Sequence, residues 1–144
     1  MVLKPYEKGG FALIRLGVRT RKRCEFVDIT AEVAGAVEKS GVTEGVVLVY
    51  CPHTTAGITI NENADPSVVH DITMKTSKLV EHDDPGYLHA EGNSDSHIKS
   101  SLVGASETII IDRGRLVLGT WQGIYFAEFD GPRTREVFLK IIEG

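Results

Sequence analysis

From Val46 to Cys51 the chain carries an unbroken apolar run, Val46-Val47-Leu48-Val49-Tyr50-Cys51, bounded by Gly45 and Pro52. The run is far short of the ~20 residues a membrane helix requires. Its length and β-branched content predict a strand covered on both faces. Pro52-His53-Thr54-Thr55-Ala56-Gly57 interrupts the pattern, and Ile58 to Glu62 resumes as a strand with Ile58 and Ile60 on one side. The interruption joins two strands, so its polar groups are expected at a sheet edge.

Around this centre the other elements are short. Phe11 to Val18 and Cys24 to Ile29 are strand-like and flank the basic turn Arg19 to Arg23, which reads as a hairpin. Thr30 is placed to cap a helix through about Lys39, with Val33, Ala34 and Val37 at helical spacing and Gly41 as the stop. Asp65-Pro66 is a second helix start, because Asp offers a capping oxygen and Pro lacks only an N–H that would be unpaired there. Val69, Ile72, Thr76, Leu79 and Val80 continue that helix to about Glu81. His82 to Asn93 is a polar loop of about a dozen residues, a length at which structureless connections tend to be functional. Ser94 caps a third helix through Val103, ended by Gly104, and strands follow at Thr108 to Asp112, Leu116 to Leu118, Ile124 to Glu128 and Val137 to Ile142. Strands outnumber helices without a regular strand–helix alternation, which disfavours a doubly wound sheet. The expected fold is α+β: a single layered domain over 1–144 of mixed or mainly antiparallel sheets, with about three helices on one face.

A chain of 144 residues buries roughly 68–70% of its unfolded surface, enough to fold without disulfides or metal. Its 20 acids against 16 bases, a formal charge of -4, include no basic block to neutralise a phosphate backbone. Nucleic acid is therefore not the expected partner, whereas an anionic small molecule can still meet a locally basic site. Cys24 and Cys51 have no CxxC or zinc spacing and read as reduced core residues. Met1 to Tyr6 lacks the apolar stretch of a signal peptide, and no segment reaches the length of a membrane span, so no membrane partner and a cytoplasmic location are expected.

The chemistry-bearing residues start with three histidines. His53 follows the apolar strand, His89 lies in the long loop, and His97 opens the helix after it. Imidazoles from separate elements can converge, and a catalytic metal centre uses three protein ligands with one position left open. The interval from His89 to His97 matches no zinc signature, so exposed or hydrogen-bonded histidines are the competing reading. His70 and His82 read as surface residues. Glu62 ends a strand, Asp65 caps the next helix and Asp71 lies in its second turn, so all three can stand near one helix start and offer a general base. Asp65 is equally explained as a cap and Asp71 by pairing with Lys75, which makes Glu62 the preferred acid.

Thr54, Thr55, Asn61, Asn63, Asn93, Ser100, Ser101 and Gln122 can bind oxygen-rich groups, or serve as caps and turn formers. Asp130-Gly131-Pro132-Arg133-Thr134-Arg135 is a turn with two guanidiniums. Arg133 suits a phosphate through its bidentate fork, or either arginine pairs with Asp130, Glu128 or a neighbouring subunit. In Gly119-Thr120-Trp121-Gln122-Gly123 the tryptophan reads as core. No Walker loop, GxSxG elbow or GxGxxG fingerprint is present. The pattern points to one polar, histidine-containing site built from the central third of the chain and the GTWQ segment.

The segments CPHTTAGITINENADPSVVHDI, HAEGNSDSHIKSSLVGAS and GRLVLGTWQGIYFAEFDGPRTREV resemble the YjbQ family, whose members are described as secondary thiamine-phosphate synthases. The likeness spans nearly the whole chain. It implies a compact α+β fold assembled as a homotrimer with sites near subunit interfaces, and function at His53, Glu62, Asp65, Asp71, His89 and His97. The implied activity joins an aminopyrimidine diphosphate to a thiazole phosphate, giving thiamine phosphate and pyrophosphate. A diphosphate leaving group needs positive charge, which a divalent ion such as zinc or magnesium, Arg133 and helix N–H groups can supply. An incipient pyrimidine cation needs an electron-rich wall, which Glu62 or Asp71 can supply. The chain is far shorter than the ~250 residues of a TIM barrel, so the reaction would run on another scaffold.

Three readings of the site stand side by side. The first is this transferase. The second is a metal-dependent hydrolase of small phosphorylated metabolites, with His53, His89 and His97 as ligands. The third is a non-catalytic homotrimer that binds a metal or metabolite at an interface.

Overall fold

The structure, a computed structural model, describes residues 13–144 and the backbone of Leu3–Pro5. The start of the first expected strand at Phe11, and most of the Met1 to Tyr6 stretch, lie outside the described residues. A six-stranded sheet has the order β1 (Leu3–Pro5), β2 (Ile14–Arg19), β9 (Thr134–Glu143), β4 (Gly45–Tyr50), β6 (Ser106–Asp112), β7 (Arg115–Leu116). A three-stranded sheet has the order β3 (Glu25–Asp28), β8 (Gln122–Glu128), β5 (Ala56–Glu62). The helices are α1 (Thr30–Ser40), α2 (Pro66–Leu79) and α3 (Ser94–Val103). Every pairing between these strands is antiparallel, within the α+β class the pattern implied.

Both sheets feed one core through period-two alternation. The larger contributes Leu16, Val18, Val47, Val49, Ile109, Ile111, Val137 and Leu139, the smaller Ala56, Ile58, Ile124 and Phe126, and α1 adds Val33, Ala36 and Val37. The apolar run at the centre behaves accordingly. Val47 and Val49 are buried, but Val46 and Leu48 are half-buried and Tyr50 is 43% exposed, so β4 is fully covered on one face rather than on both.

The expected hairpin across Arg19 to Arg23 does not form. β2 pairs with β1 and β9 and β3 pairs with β8, so the turn carries the chain from one sheet to the other. Glu25 shapes that corner by accepting from the N–H groups of Arg21 at 2.7 Å and Lys22 at 3.3 Å. Residues 51–55 make a second crossing and residues 129–133 a third. The three lie side by side: Thr20 N donates to Arg133 O, Gly131 N to Arg23 O, and Phe129 N to Thr55 O.

Helix ends follow the local chemistry with small shifts. Gly41 terminates α1 at φ 71°, as read, whereas Thr30 lies inside the helix and Asp28 Oδ1 accepts from its N–H at 2.9 Å. Asp65 Oδ1 accepts from Ser67 N at 2.9 Å, as an N-cap should, but α2 stops at Leu79 rather than Glu81 and buries none of its residues. Asn93, not Ser94, is the N-cap of α3. Cys51 is buried as expected, while Cys24 is only half-buried. No helix among the described residues is long and apolar enough to cross a membrane.

α3 is held against the free edge of β5, where Ile58 N donates to Gly104 O at 3.0 Å and Ser100 Oγ to Ala56 O at 2.7 Å. Gly57 permits that approach, since a Cβ there would lie 2.5 Å from Gly104 O and 3.0 Å from Val103 Cγ1. Gly57→Ala should therefore lower stability by about 1–3 kcal/mol in a urea titration, the usual cost of overpacking. An unchanged midpoint would mean that the helix end is not packed this tightly.

Candidate functional site

The second and third crossings and the start of α3 border a polar cleft of about 460 Å³, lined by residues that include His53, Thr54, Thr55, Glu91, Asn93, His97, Asp130, Arg133 and Arg135. Its floor is a buried ion pair. Arg135 on β9 donates through Nε to Glu128 Oε2 at 2.8 Å and through Nη2 to Glu128 Oε1 and to Thr55 Oγ1, the last at 2.8 Å. Glu128 also accepts from Thr20 Oγ1 at 2.9 Å and from Asp130 N at 3.0 Å. A buried carboxylate with this many donors is satisfied, and so is the guanidinium facing it. Arg135 is thus committed to structure, whereas Arg133 is half exposed and tied to Asp130 through Nη2 at 3.1 Å.

His53 sits in the second crossing and is half-buried. Glu136 N–H donates to its Nε2 at 3.0 Å, so the neutral ring carries its proton on Nδ1. Glu136 O, 3.2 Å from the same nitrogen, is the acceptor available to the protonated ring. Burial first, and then the Arg135 charge, hold His53 below the ordinary imidazole value. The folded value therefore lies under the unfolded one. Acidification protonates the unfolded chain first, so stability begins to be lost near the unfolded value of about 6.5 and goes on falling down to the lower folded value.

His97 enters the cleft from the first turn of α3, and its ring meets that of His89 edge-on at a centroid distance of 5.2 Å. His89 is exposed, with Nε2 3.7 Å from Glu91 Oε2. α3 is fixed on its opposite face. Asp95 takes a two-point clasp from Arg23, both contacts 2.9 Å, and a third bond from Lys99 at 3.2 Å, while Ser96 Oγ donates to Phe129 O at 2.6 Å. Burial pushes Asp95 up, but the Arg23 and Lys99 bonds outweigh it and bring it to about 2. That stabilisation is present above the unfolded carboxyl value and is lost as the pH falls toward 2.

The acids are elsewhere. Ala56 of β5 pairs with Glu128 and Glu62 pairs with Gln122, so the strand runs from the cleft to the far end of the small sheet. At about 3.3 Å per residue, Glu62 stands roughly 20 Å from the crossings. Asp65 follows it as the N-cap of α2, and Asp71 lies within that helix. Asn61 and Gln122 share that end, where Asn61 Oδ1 accepts from Glu62 N at 2.7 Å and Gln122 Oε1 closes its own loop by accepting from Gly119 N at 2.8 Å. Trp121 is 62% exposed there, not core. Ser101, one turn beyond His97, is exposed and does not line the cleft. The single pocket read from the sequence is thus divided in two within the chain: His53, His97, Thr54, Thr55 and Arg133 at one end, Glu62, Asp65, Asp71, Asn61 and Gln122 at the other. His70 and His82 are exposed, as read.

Among the described residues no three His, Cys, Asp or Glu side chains gather closely enough to hold an ion. His89 and His97 supply a pair, and His53 has its Nε2 engaged by backbone. Sequence reasoning passed over Glu91 as a lining residue and the Arg23–Asp95–Lys99 cluster altogether. Of the partners the sequence offers the two arginines, the fold gives Asp130 to Arg133 and Glu128 to Arg135.

A family model described as UPF0047 protein YjbQ-like matches residues 14–144. The chain belongs to the YjbQ family. Its relatives include UPF0047 protein MJ1081 of Methanocaldococcus jannaschii, 58% identical over 130 residues that cover 90% of this chain and 94% of that one. UPF0047 protein YugU of Bacillus subtilis is 53% identical, with coverage of 88% and 96%. A crystal structure of a YjbQ/UPF0047 protein from Clostridium acetobutylicum superposes with a TM-score of 0.88 at 56% identity, covering 90% of this chain and 99% of that one. These descriptions carry the family name and no activity, so the thiamine-phosphate label stays with the resemblance.

In this YjbQ-family chain two outcomes follow from the site. Glu128→Ala should cost about 3–5 kcal/mol in chemical denaturation, because it strands the buried Arg135 charge. A cost below ~1 kcal/mol would mean that water reaches the pair. In a proton NMR titration the His53 ring should protonate below about 6.5, and a value above that would overturn its neutral assignment.

Proposed function

We propose that the protein is a transferase acting on a small phosphorylated substrate held in the cleft of His53, His97 and Arg133. What supports this most is one observation: a neutral imidazole, a second histidine on a pinned helix and a half-exposed guanidinium surround a cleft of about 460 Å³, the size of a metabolite site. Arg133 matches a phosphate by its planar fork. Thr54 adds a hydroxyl at the cleft wall.

The likeness to secondary thiamine-phosphate synthases supplies the reaction to assign. The bond between the aminopyrimidine methylene carbon and the diphosphate oxygen breaks, the thiazole nitrogen lone pair forms the new C–N bond, and pyrophosphate leaves with the electron pair. Arg133 steadies the leaving diphosphate, and His97 stands by to protonate it. The incipient cation calls for a carboxylate, which no single copy brings to the cleft except Glu91 and the already paired Asp130. We therefore assign the protein a homotrimer in which Glu62, Asp65 and Asp71 of one copy face the histidine cleft of the next. Asn61, Ser101 and Gln122 would then complete the substrate contacts.

A divalent ion such as zinc or magnesium fits this cleft only in part, with His89 and His97 as two ligands and any third from outside that pair. Bound there, it would add positive charge opposite the diphosphate. Hydrolysis of a phosphate ester is the second reading, favoured by the same His89–His97 pair, whose rings are 5.2 Å apart.

The deciding assay follows thiamine phosphate formed from the two phosphorylated halves by wild-type protein and by folded His97→Ala, with metal content measured on both. Product formation that falls by about 10²-fold or more in the variant supports the assignment. Wild-type protein that makes no product but cleaves phosphate esters, and loses that activity with chelator, replaces the transferase with the hydrolase.

A further inference from the structure

Two features are not used by the cleft, although the end of the first, Glu91 and Asn93, lines it. The first is the loop 81–93. Its backbone is tied: Tyr87 N donates to Asp84 O at 3.0 Å, Gly86 N to Asp84 Oδ1 at 2.7 Å, and Tyr87 Oη to Glu81 O at 2.6 Å. His82 Nε2 bonds Gly92 O at 3.1 Å and clasps the two ends of the loop together. This fixed loop presents Leu88 to solvent, 98% exposed. Its charged side chains Glu81, Asp83, Asp84 and Glu91 are all acidic. A large apolar side chain held out by an ordered loop is the form of an interface anchor.

The second feature is a groove of about 700 Å³ between α1 and the β6–β7 turn. Val37, Val42, Leu116 and Leu118 give it an apolar floor, and Arg113 and Arg115 lie on its rim. Arg113 is held at φ 52°, directly before Gly114 at φ 74°, a turn whose first position favours Asn. The groove runs toward the acid end of the small sheet. Thr30 lines it and bonds Asp28, and Leu118 lines it and leads into the Trp121 loop.

We infer that the groove receives Leu88 from the acidic loop of a second copy of this chain. The shapes are knob and hollow, and the charges favour the contact: four carboxylates on the loop meet Arg113 and Arg115 on the rim, against Glu38 in the lining and Asp112 4.0 Å from Arg113 Nε. Knob and groove are different surfaces of one chain, so the contact is head-to-tail, the kind that builds a ring when its rotation closes. The loop carries His89 and leads into α3 with His97, and the groove lies toward the Glu62 end of the small sheet, so this docking would set those two ends of neighbouring copies against each other. The inference rests on the assembly invoked under the proposed function and names the contact that makes it.

Sedimentation velocity on the full chain tests it, with folding checked by circular dichroism. Wild type should sediment as an oligomer. Leu88→Asp and Arg113→Glu/Arg115→Glu should each dissociate at least about tenfold more readily, and adding Asp83→Arg/Asp84→Arg to the arginine variant should restore assembly. An oligomeric wild type whose mass is unmoved by Leu88→Asp and by the charge reversal overturns this contact while leaving the assembly standing. A monomeric wild type overturns both.

Discussion

The pair formed by Glu128 and Arg135 spans the gap between the two sheets, and the architecture at that end is arranged around it. Glu128 has the inward register of Ile124 and Phe126, and Arg135 that of Val137 and Leu139, so both charges point into the sandwich where neighbours on their strands are apolar. Such a pair is tolerated only when every lone pair and proton finds a partner. Thr20, Thr55 and the Asp130 N–H provide them, and each comes from a different one of the three short crossings that lie side by side at this end. Satisfying one buried carboxylate thus gathers three separate stretches of chain.

That gathering makes the cleft. His53 and Thr54 belong to one crossing and Arg133 to another, and Asn93 Nδ2 donates to Asp130 Oδ2 at 2.9 Å, joining the start of α3 to the third crossing. The Arg23–Asp95–Lys99 cluster then sets the rotation of α3, with Asp95 and Lys99 on the buried side and His97 toward the cleft. The positive field of Arg135 helps keep His53 neutral. Structural and functional charges are therefore divided between the two arginines of one turn: Arg135 is consumed by the fold, and Arg133 is left half-available.

Much of the fold was legible in the chain. The α2 start at Asp65-Pro66, the Gly41 stop and the long loop before α3 follow from capping and turn chemistry, which acts over a few residues, although the same chemistry misplaces the caps at Thr30 and Ser94 by one residue. The expected hairpin failed because strand-like residues on either side of a short turn do not specify a partner. Pairing of β2 with β9 and of β3 with β8 is a long-range choice made by the core. Trp121 was misjudged for a related reason: a large aromatic is buried on average, but its loop lies at the end of a sheet, beyond the layer that could cover it.

For the site, the sequence by itself determined which side chains exist to do chemistry and the local element that carries each. It also determined the alternation that puts Glu128 and Arg135 on inward registers, since side-chain direction along a strand is set by the two-residue repeat. Only the tertiary structure decided which of these residues meet. Glu62 is nine residues from His53 in the chain, yet most of that interval is the extended strand β5, which separates its ends by its full length. Arg133 lies far along the chain from His53, yet shares its cleft because the crossings stack side by side. Proximity in the chain is converted to distance by an extended strand, and distance is removed by sheet pairing, so convergence is a property of topology that no local pattern encodes.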